Sequence, residues 1–109
     1  MRLYLSGKIT GNENYKDDFA AARAKLENAG YEVCDPAACG LESLSWEAAM
    51  KCVIREMLRC NGVALLPNWE ESKGAGIEAR LARDLGMAVR TVSAWLEGGV
   101  MRPPGPSGS

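Results

Sequence analysis

The chain contains 109 residues with a mass of 11.7 kDa, a length that predicts one domain with a single core. Its proportions of hydrophobic residues, 47%, and charged residues, 25%, are those of a globular protein and exclude an intrinsically disordered chain. The net charge of −1 argues against a broad basic surface for duplex nucleic acid. The lack of histidine excludes any Ser-His-Asp triad, Cys-His dyad or mixed Cys/His zinc site built from this chain alone.

Helix and strand signals alternate along the chain. The predicted elements are a strand at 2–6, a helix at 15–29, a strand at 31–34, a loop at 37–44, a helix at 46–59, a strand at 62–66, a helix at 73–85, a strand at 87–92 and a helical turn at 93–96. With no hairpin signal between the strands, this order predicts an α/β fold. We expect a small doubly wound, flavodoxin- or Rossmann-like parallel sheet of order 2-1-3-4 with helices on both faces.

Each long helix carries an apolar stripe that should face the sheet. The stripes are Phe19, Ala22 and Leu26 in the first helix, Trp46, Met50, Val53, Met57 and Cys60 in the second, and Ile77, Leu81 and Leu85 in the third. Ser45 is placed to cap the second helix, and Gly30 and Gly86 follow the first and third helices.

Composition also divides the chain. Residues 1–97 are expected to form the α/β domain, and residues 98–109, which contain three of the five prolines, are expected to be a disordered Pro/Gly/Ser tail.

The four cysteines, at positions 34, 39, 52 and 60, include no C-x-x-C pair and no signal sequence precedes the first strand, which predicts a reducing cytoplasm. Buried thiols are the expected role of these cysteines, and a four-cysteine metal site is the alternative. Because no apolar stretch approaches about 20 residues, no membrane partner is expected.

The segment at residues 72–78 has the composition of an anion-binding turn. Ser72, Gly74 and Gly76 stand where a chain leaves a strand and enters a helix, so that bare backbone N–H groups point outward at the positive end of the helix dipole. A phosphate could approach these glycines closely and accept a hydrogen bond from the Ser72 hydroxyl. The alternative is that Ser72 is a plain N-cap and the glycines only permit close packing.

The same segment matches the dinucleotide fingerprint as Gly74-x-Gly76-x-x-Ala79. The glycines, however, lie well beyond the end of the preceding strand, and Arg90 and Thr91 stand where an acidic residue should end the next strand. These departures argue against classical NAD binding.

Glu78 lies one turn into the same helix. If residues 72–76 hold a sugar phosphate, this carboxylate is aimed at the sugar ring, where it could act as a nucleophile at the anomeric carbon. The alternative is a solvated first-turn glutamate. Tyr4 and Ser6 share one face of the first strand, and Tyr4 either places its hydroxyl beside Glu78 or is an ordinary buried tyrosine.

Ligands of such folds bind beyond the carboxyl ends of the strands at the switch point between the first and third strands, which here is flanked by the loops at 6–14 and 67–78. Lys8 is expected to face the phosphate unless it is a solvated lysine, and Trp69 is expected to stack on a base or to cover the sheet end. Base-facing residues beyond Trp69 are expected in the loop at 37–44 or in a partner subunit. The predicted ligand-binding residues are Ser6, Gly7, Lys8, Trp69, Ser72, Gly74 and Gly76, and the predicted catalytic residues are Tyr4 and Glu78, with no metal and no cofactor.

Three segments carry a resemblance to a known family: YLSGKITG at 4–11, GYEV at 30–33 before Asp35-Pro36, and LLPNWEESKGA at 65–75. Over about residues 2–92, the chain resembles small, functionally uncharacterised phage and prophage proteins of the nucleoside 2-deoxyribosyltransferase-like superfamily. Within that superfamily, Ser72-x-Gly74-x-Gly76-x-Glu78 resembles the loop of the 2'-deoxynucleoside 5'-monophosphate N-glycosidases.

The resemblance implies that Glu78 is the nucleophile that attacks C1' of a deoxyribose, that Tyr4 orients it, and that Ser72 with the glycine amides holds a 5'-phosphate. It also implies an aspartate on the second helix that handles the leaving base, but Val53 stands at that position. Asn61 likewise replaces an aspartate often found just before the third strand. Glu56, one turn beyond Val53, would substitute only if its side chain turned towards the pocket.

A pocket that keeps phosphate and sugar contacts but lacks a proton donor suits binding without cleavage, because acid-base assistance is typically worth about 10²- to 10⁴-fold. Phage proteins of similar size sequester the nucleotide signals of bacterial immune enzymes, including ADP-ribose derivatives. By that analogy we expect a nucleotide-sequestering protein in the cytoplasm of a bacterial host cell. The alternative is an N-glycosidase or nucleoside deoxyribosyltransferase.

A homodimer or higher homo-oligomer is also expected. The superfamily is usually oligomeric, and Trp46, Met50 and Met57 present more apolar surface than so thin a sheet can cover.

Overall fold

The computed structural model describes residues 1–98, which form a four-stranded parallel sheet with helices on both faces. The elements in chain order are β1 (Arg2–Ser6), α1 (Tyr15–Asn28), β2 (Glu32–Cys34), α2 (Trp46–Met57), β3 (Gly62–Leu65), α3 (Lys73–Asp84), β4 (Ala88–Thr91) and α4 (Val92–Gly98). β1 pairs in parallel with β2 and β3, and β3 pairs in parallel with β4. The strand order is therefore β2-β1-β3-β4, and the predicted α/β fold with order 2-1-3-4 is confirmed.

The element bounds differ from the predicted ones mainly in the connections. The segment predicted as a loop at 37–44 contains two short 3-10 helices, Pro36–Ala38 and Leu41–Ser43. The last helix runs to Gly98, one residue beyond the predicted domain boundary. The rest of the predicted tail, residues 99–109, lies outside the described residues, and the tail remains a prediction.

Cap residues mark the starts of α2 and α3, which lie on the same face of the sheet, and the end of α3. The hydroxyl oxygens of Ser45 and Ser72 accept hydrogen bonds from the backbone N–H groups of Ala48 and Ala75, each at 3.1 Å, which starts α2 and α3. Gly86 follows α3 with a φ of 79°, a left-handed conformation that costs glycine little and ends the helix.

Two apolar layers enclose the sheet. On one face, α1 and α4 pack Phe19, Leu26, Val92 and Trp95 against Leu3, Leu5 and Ala64. On the other face, α2 and α3 pack Val53, Met57, Ala79 and Ala82 against Tyr4, Val63 and Leu65. All four residues of β3 are buried, as expected for a strand covered on both sides.

The inward face of α3 is not the one that the apolar stripe predicts. Ile77 and Leu85 are 39% and 56% exposed, and Leu81 is only partly buried. The buried residues of α3 are Ala75, Glu78, Ala79 and Ala82. The small alanine side chains let α3 lie close to the sheet. Glu78 is on the same face of the helix and is therefore buried with them.

The side chains on which self-association was predicted are also placed differently. Met57 is completely buried and Met50 is partly buried in the second apolar layer, whereas Trp46 is 37% exposed. The sheet and its helices therefore cover Met57, and the argument from three excess apolar side chains is wrong in that part. Within residues 1–98, no helix is both long enough and apolar enough to cross a membrane.

Candidate functional site

The carboxyl ends of β1 and β3 lie side by side, with Ser6 paired to Leu65, and α3 brings Glu78 to this edge. The Tyr4 hydroxyl donates a hydrogen bond of 2.7 Å to Oε2 of Glu78. The Ser6 hydroxyl donates one of 2.6 Å to Oε1. Both oxygens of one carboxylate are thus held by hydroxyl groups from alternate positions of β1, and the predicted proximity of Tyr4 and Glu78 is present.

This carboxylate is buried, with Glu78 5% exposed and Tyr4 and Ser6 1% exposed each. Burial raises the pKa of Glu78 to about 7, and the hydrogen bonds from Ser6 and Tyr4 oppose that rise. Burial, followed by the neighbouring Glu78 charge, raises the pKa of Tyr4 well above its usual value. Glu78 therefore changes its charge near neutral pH, while Tyr4 remains a hydrogen-bond donor.

Glu78 lies in the wall of a cavity of about 390 Å³, which we call the inner cavity. Tyr4, Gly7 and Gly74 line it together with Glu78, and the remaining lining is mostly apolar. A volume of this order is typical of small-molecule sites. Its other lining residues are Leu5, Ile9, Thr10, Tyr15, Phe19, Pro36, Leu41, Glu42, Leu44, Trp46, Ala49, Met50, Val53 and Ala75.

A second cavity of about 520 Å³, the outer cavity, adjoins the first at the N-terminus of α3. Thr10, Trp46 and Gly74 line both cavities. The outer cavity is completed by Glu71, Ser72 and Lys73. The Lys73 ammonium lies over the Trp46 ring, 4.6 Å from its centroid, so the first residues of α2 and α3 meet where the cavities join.

The first turn of α3 has few N–H groups left for a ligand. The Ala75 N–H donates to Ser72 Oγ at 3.1 Å, and the Gly76 N–H donates to the Ser72 carbonyl at 3.0 Å. Amides at the first two helical positions, here Lys73 and Gly74, have no acceptor within a helix. The amides that an anion in the outer cavity could use are therefore those of Lys73 and Gly74, and Gly76 is not one of them.

Four predicted ligand-binding residues, Ser6, Lys8, Trp69 and Gly76, are not among the residues that line either cavity. The Ser6 hydroxyl is bonded to Glu78, as described above. Gly76 has its N–H bonded within the helix, as described above. The Trp69 ring packs on the second apolar layer, with the Arg83 guanidinium 5.9 Å from its centroid. The Lys8 ammonium lies 3.2 Å from Oε1 of Glu71, so it is beside the outer cavity but paired with a carboxylate.

The glycines of the site also serve packing, as the alternative interpretation of the sequence held. A side chain at Gly7 would place its Cβ 2.9 Å from Cβ of Leu66, and one at Gly74 would place it 3.0 Å from Sδ of Met50. Distances this short require the neighbouring atoms to move. Gly7 therefore allows the loop after β1 to lie against the end of β3.

The structure also locates Val53, Glu56 and Asn61, the positions discussed above for the superfamily that the sequence resembles. Val53 is buried and lines the inner cavity, as an acid at that position would. Glu56 does not face this cavity, since it lies with Cys39 and Cys52 around a separate cavity and 3.8 Å from Arg59. Asn61 is at the opposite, amino end of the sheet, where its Oδ1 accepts from the Arg2 N–H at 2.7 Å.

Trp46, Glu42 and Tyr15 line the inner cavity. None of the three was predicted individually, and of these only Glu42 belongs to a segment, the loop at 37–44, in which base-facing residues were expected. Trp46 was assigned to a core stripe, and Glu42 fell in a loop without periodicity. The Tyr15 hydroxyl donates a 2.9 Å hydrogen bond to Oε2 of Glu42. The sequence signal for this group was its place in the loops that follow β1 and β2, at the ligand-binding edge of a parallel sheet.

None of the four cysteines lines the inner or the outer cavity. Cys34 and Cys60 are buried, Cys39 and Cys52 are exposed, and all four are free thiols. Among the described residues, no three His, Cys, Asp or Glu side chains come close enough together to hold a metal ion.

Fold and site together define an α/β protein of Rossmann-like fold with a buried glutamate in the wall of a cavity at the switch point of its sheet. A family model described as a domain of unknown function, DUF4406, matches residues 1–91. The chain belongs to this family. A comparison with curated proteins finds no match.

Proposed function

We propose that the chain binds a small nucleotide at the two joined cavities and holds it without cleaving it. In this arrangement the phosphate lies in the outer cavity, the sugar lies beside Glu78, and the base lies in the inner cavity. The observation that carries the proposal is the buried Glu78 carboxylate, which accepts hydrogen bonds from Tyr4 and Ser6 in the wall of the inner cavity. In the same wall, Val53 stands at the position where the resemblance implies an acid.

The chemistry of the outer cavity supports a phosphate there. Lys73 supplies an ammonium group, and the unused amides of Lys73 and Gly74 lie at the positive end of the α3 dipole. Glu71, which also lines this cavity, is partly neutralised by Lys8 at 3.2 Å. The Lys73 ammonium and the two free amides therefore favour one anionic group in the outer cavity, since the charge of Glu71 is partly offset by Lys8.

The chemistry of the inner cavity supports a sugar and a ring. Glu78 offers lone pairs to sugar hydroxyl groups at the junction with α3, and apolar and aromatic side chains cover the remaining wall. Such a combination of an apolar wall with a few polar groups is usual for sites that bind small organic ligands.

Within residues 1–98, the side chains considered as proton donors for a leaving base are unsuitable, which supports binding over cleavage. Val53 carries no proton to donate, Glu56 faces another cavity, and Glu42 is held ionised because the Lys16 ammonium, its own backbone N–H and the Tyr15 hydroxyl lower its pKa to about 2. Loss of acid assistance slows departure of a base by about 10²- to 10⁴-fold. A nucleotide held in this way is sequestered. The resemblance to phage proteins extends the proposal to a signal nucleotide of the ADP-ribose type, bound in a bacterial host cell.

A second candidate function is an N-glycosidase or nucleoside deoxyribosyltransferase, which the Tyr4–Glu78 contact favours. In that reaction the ionised Glu78 carboxylate attacks C1', the glycosidic bond breaks with its electron pair leaving on the base, and the base takes a proton from solvent. Water or a second base then attacks C1' and releases Glu78. The raised pKa of Glu78 leaves enough of the carboxylate ionised at neutral pH for this step.

The two functions differ in the fate of the ligand. We would incubate the protein with deoxynucleoside monophosphates and with ADP-ribose-type cyclic or conjugated nucleotides, denature it, and analyse what is released. Sequestration predicts intact ligand in stoichiometric amount. Free base, released at a rate that Glu78→Gln abolishes, would instead establish the glycosidase. If no nucleotide is retained and no free base is released, both functions are contradicted.

We also propose that the chain forms a homodimer or a higher homo-oligomer. Ile77, Leu81 and Leu85 form an exposed or half-exposed apolar row along α3, which a second copy would cover. Light scattering at micromolar concentration tests this proposal, and a species of 11.7 kDa alone would contradict it.

A further inference from the structure

A second carboxylate, that of Glu42, lines the inner cavity with Glu78. Glu42 belongs to the 3-10 helix Leu41–Ser43 in the connection between β2 and α2. Two residues at the start of α1 hold it: the Tyr15 hydroxyl donates to Oε2 at 2.9 Å, and the Lys16 ammonium lies 2.6 Å from the same oxygen. A half-exposed loop carboxylate in the cavity wall is thereby bonded to the helix that connects β1 and β2.

The two oxygens of this carboxylate differ in what they can still accept. Both side-chain contacts are made to Oε2, and no other side chain of residues 1–98 donates to Glu42. A carboxylate has lone pairs for about four hydrogen bonds, so Oε1 can accept from a ligand. With its pKa lowered to about 2 by these contacts, Glu42 acts only as an acceptor at neutral pH.

The surroundings of Glu42 favour a flat, uncharged ring over a second anion. Tyr15, Leu41, Leu44 and Trp46 line the same cavity, and no Lys or Arg is among the residues that line it. A negatively charged group would lie near the carboxylates of Glu78 and Glu42, and the Lys16 ammonium is already paired with Oε2 of Glu42. A planar ring that stacks on these side chains and presents an N–H to Glu42 would satisfy both the apolar wall and the free lone pairs.

We propose that Glu42 selects the base of the bound nucleotide, by accepting a hydrogen bond at Oε1 from an amino group on the ring. This inference rests on the proposed function, since it assigns the ligand class of the same site. Tyr15 and Lys16 are positioning residues, because they hold the carboxylate through Oε2 and leave the selecting oxygen free. The ligand class is then an amino-bearing nucleotide, such as an adenine or guanine nucleotide, in preference to one whose ring lacks that amino group.

The test uses ligand pairs that differ only in one amino group. Calorimetry at fixed salt would compare 2'-deoxyadenosine monophosphate with the 2'-deoxyribonucleotide of unsubstituted purine, and 2'-deoxyguanosine monophosphate with 2'-deoxyinosine monophosphate. We expect one amino-bearing member to bind about tenfold more tightly or better than its partner to the unaltered chain, as is usual when a side chain reads a base edge. In Glu42→Ala, the preference should fall to about twofold or less.

Glu47→Ala is the matched control, because Glu47 is an exposed glutamate in the first turn of α2 that lines neither cavity. It should keep the preference of the unaltered chain. Circular dichroism would verify that both variants fold. If the members of each pair bind equally well, or if the preference survives Glu42→Ala, the role of Glu42 is overturned while nucleotide binding stands. If no nucleotide binds to the unaltered chain, the role of Glu42 and the proposed function both fail.

Discussion

The Tyr4 hydroxyl and the Glu78 carboxylate, 74 positions apart in the chain, meet at 2.7 Å in the interior of the protein. Tyr4 is in the middle of the central strand β1, and Glu78 is in the second turn of α3. Burying an ionised carboxylate is costly, and two hydroxyl donors offset only part of that cost. A group retained at such a cost is more often functional than structural, which is why Glu78 is the centre of both proposed functions.

The first prediction concerns stability and pH. The pKa of Glu78 is about 7 in the folded chain against an ordinary value of 4.5, so between these two values the folded state binds more protons than the unfolded state. The free energy of unfolding must then fall as pH rises through this window, by up to about 3 kcal/mol from this group.

The variant Glu78→Gln removes the charge but keeps the shape of the side chain. We expect it to be about as stable as the unaltered chain near pH 4.5 and more stable at pH 8, with the difference growing over the pH window given above. Urea unfolding at a series of pH values measures this. If the free energy of unfolding depends on pH in the same way in both proteins, the pKa of Glu78 is not raised and the prediction is wrong.

The second prediction concerns the hydroxyl of Tyr4. Its hydrogen bond lowers the pKa of Glu78, so Tyr4→Phe should raise that pKa further, by about one unit. Carbon-13 NMR titration of the labelled glutamate carboxyl measures the shift. Tyr31→Phe is the control, because Tyr31 is buried on the other face of the sheet and donates to the Trp95 carbonyl at 3.0 Å. An equal effect of the two variants would mean that the shift reports general loosening of the fold.

The third prediction tests the phosphate position. Ser72→Asp keeps a good N-cap for α3 but adds a negative charge to the wall of the outer cavity. We expect the fold to persist and nucleotide binding to weaken by at least about tenfold through repulsion of the phosphate. Ser45→Asp makes the same exchange at the N-cap of α2, outside both cavities, and should bind as the unaltered chain does. Unchanged affinity of Ser72→Asp in calorimetry would place the phosphate elsewhere.

The fourth prediction concerns Val53 and cleavage of the bond between sugar and base. Val53→Asp places a carboxyl group in the wall of the inner cavity, at the position where the resemblance described above implies an aspartate that handles the leaving base. If a missing acid is what makes the chain a binding protein, release of free base should rise by about 10²-fold or more. Val53→Asn, similar in shape but unable to donate a carboxyl proton, should not show this gain, and chromatography of the products distinguishes the two. Equal rates for both variants would remove Val53 from the explanation.

The sequence was sufficient for the fold because its signals were local and mutually consistent. Period-two and period-3.6 patterns, serine caps and glycine stops each mark one element, and an alternation of strands and helices leaves few topologies. The approach of α3 to the sheet could not be predicted in the same way. It depends on the packing of Ala75, Ala79 and Ala82 against β1 and β3, whereas hydropathy favours the larger Ile77 and Leu85.

The candidate site was predictable in its centre and not at its periphery. Tyr4, Ser6 and Glu78 occupy strand and helix positions whose direction follows from the backbone. The wall contributed by Leu41, Glu42 and Leu44 comes from a connection without periodicity, so nothing in the pattern indicates its conformation. The different roles of Trp46 and Trp69 could not be predicted either. Trp46 begins α2 and Trp69 begins the 3-10 helix Trp69–Glu71, and only tertiary packing decides that Trp46 lines the cavities.

The placement of the three tryptophans gives the chain an optical property. Trp95 is buried with its indole N–H bonded to the Val63 carbonyl at 2.8 Å, and Trp69 packs against the apolar layer. Trp46 is the only tryptophan in the wall shared by the two cavities, and an ammonium group lies 4.6 Å from its ring centroid. A molecule entering either compartment changes the polarity around one fluorophore and leaves the other two as an internal reference. The emission spectrum of the unmodified chain should therefore report occupancy directly, without a label.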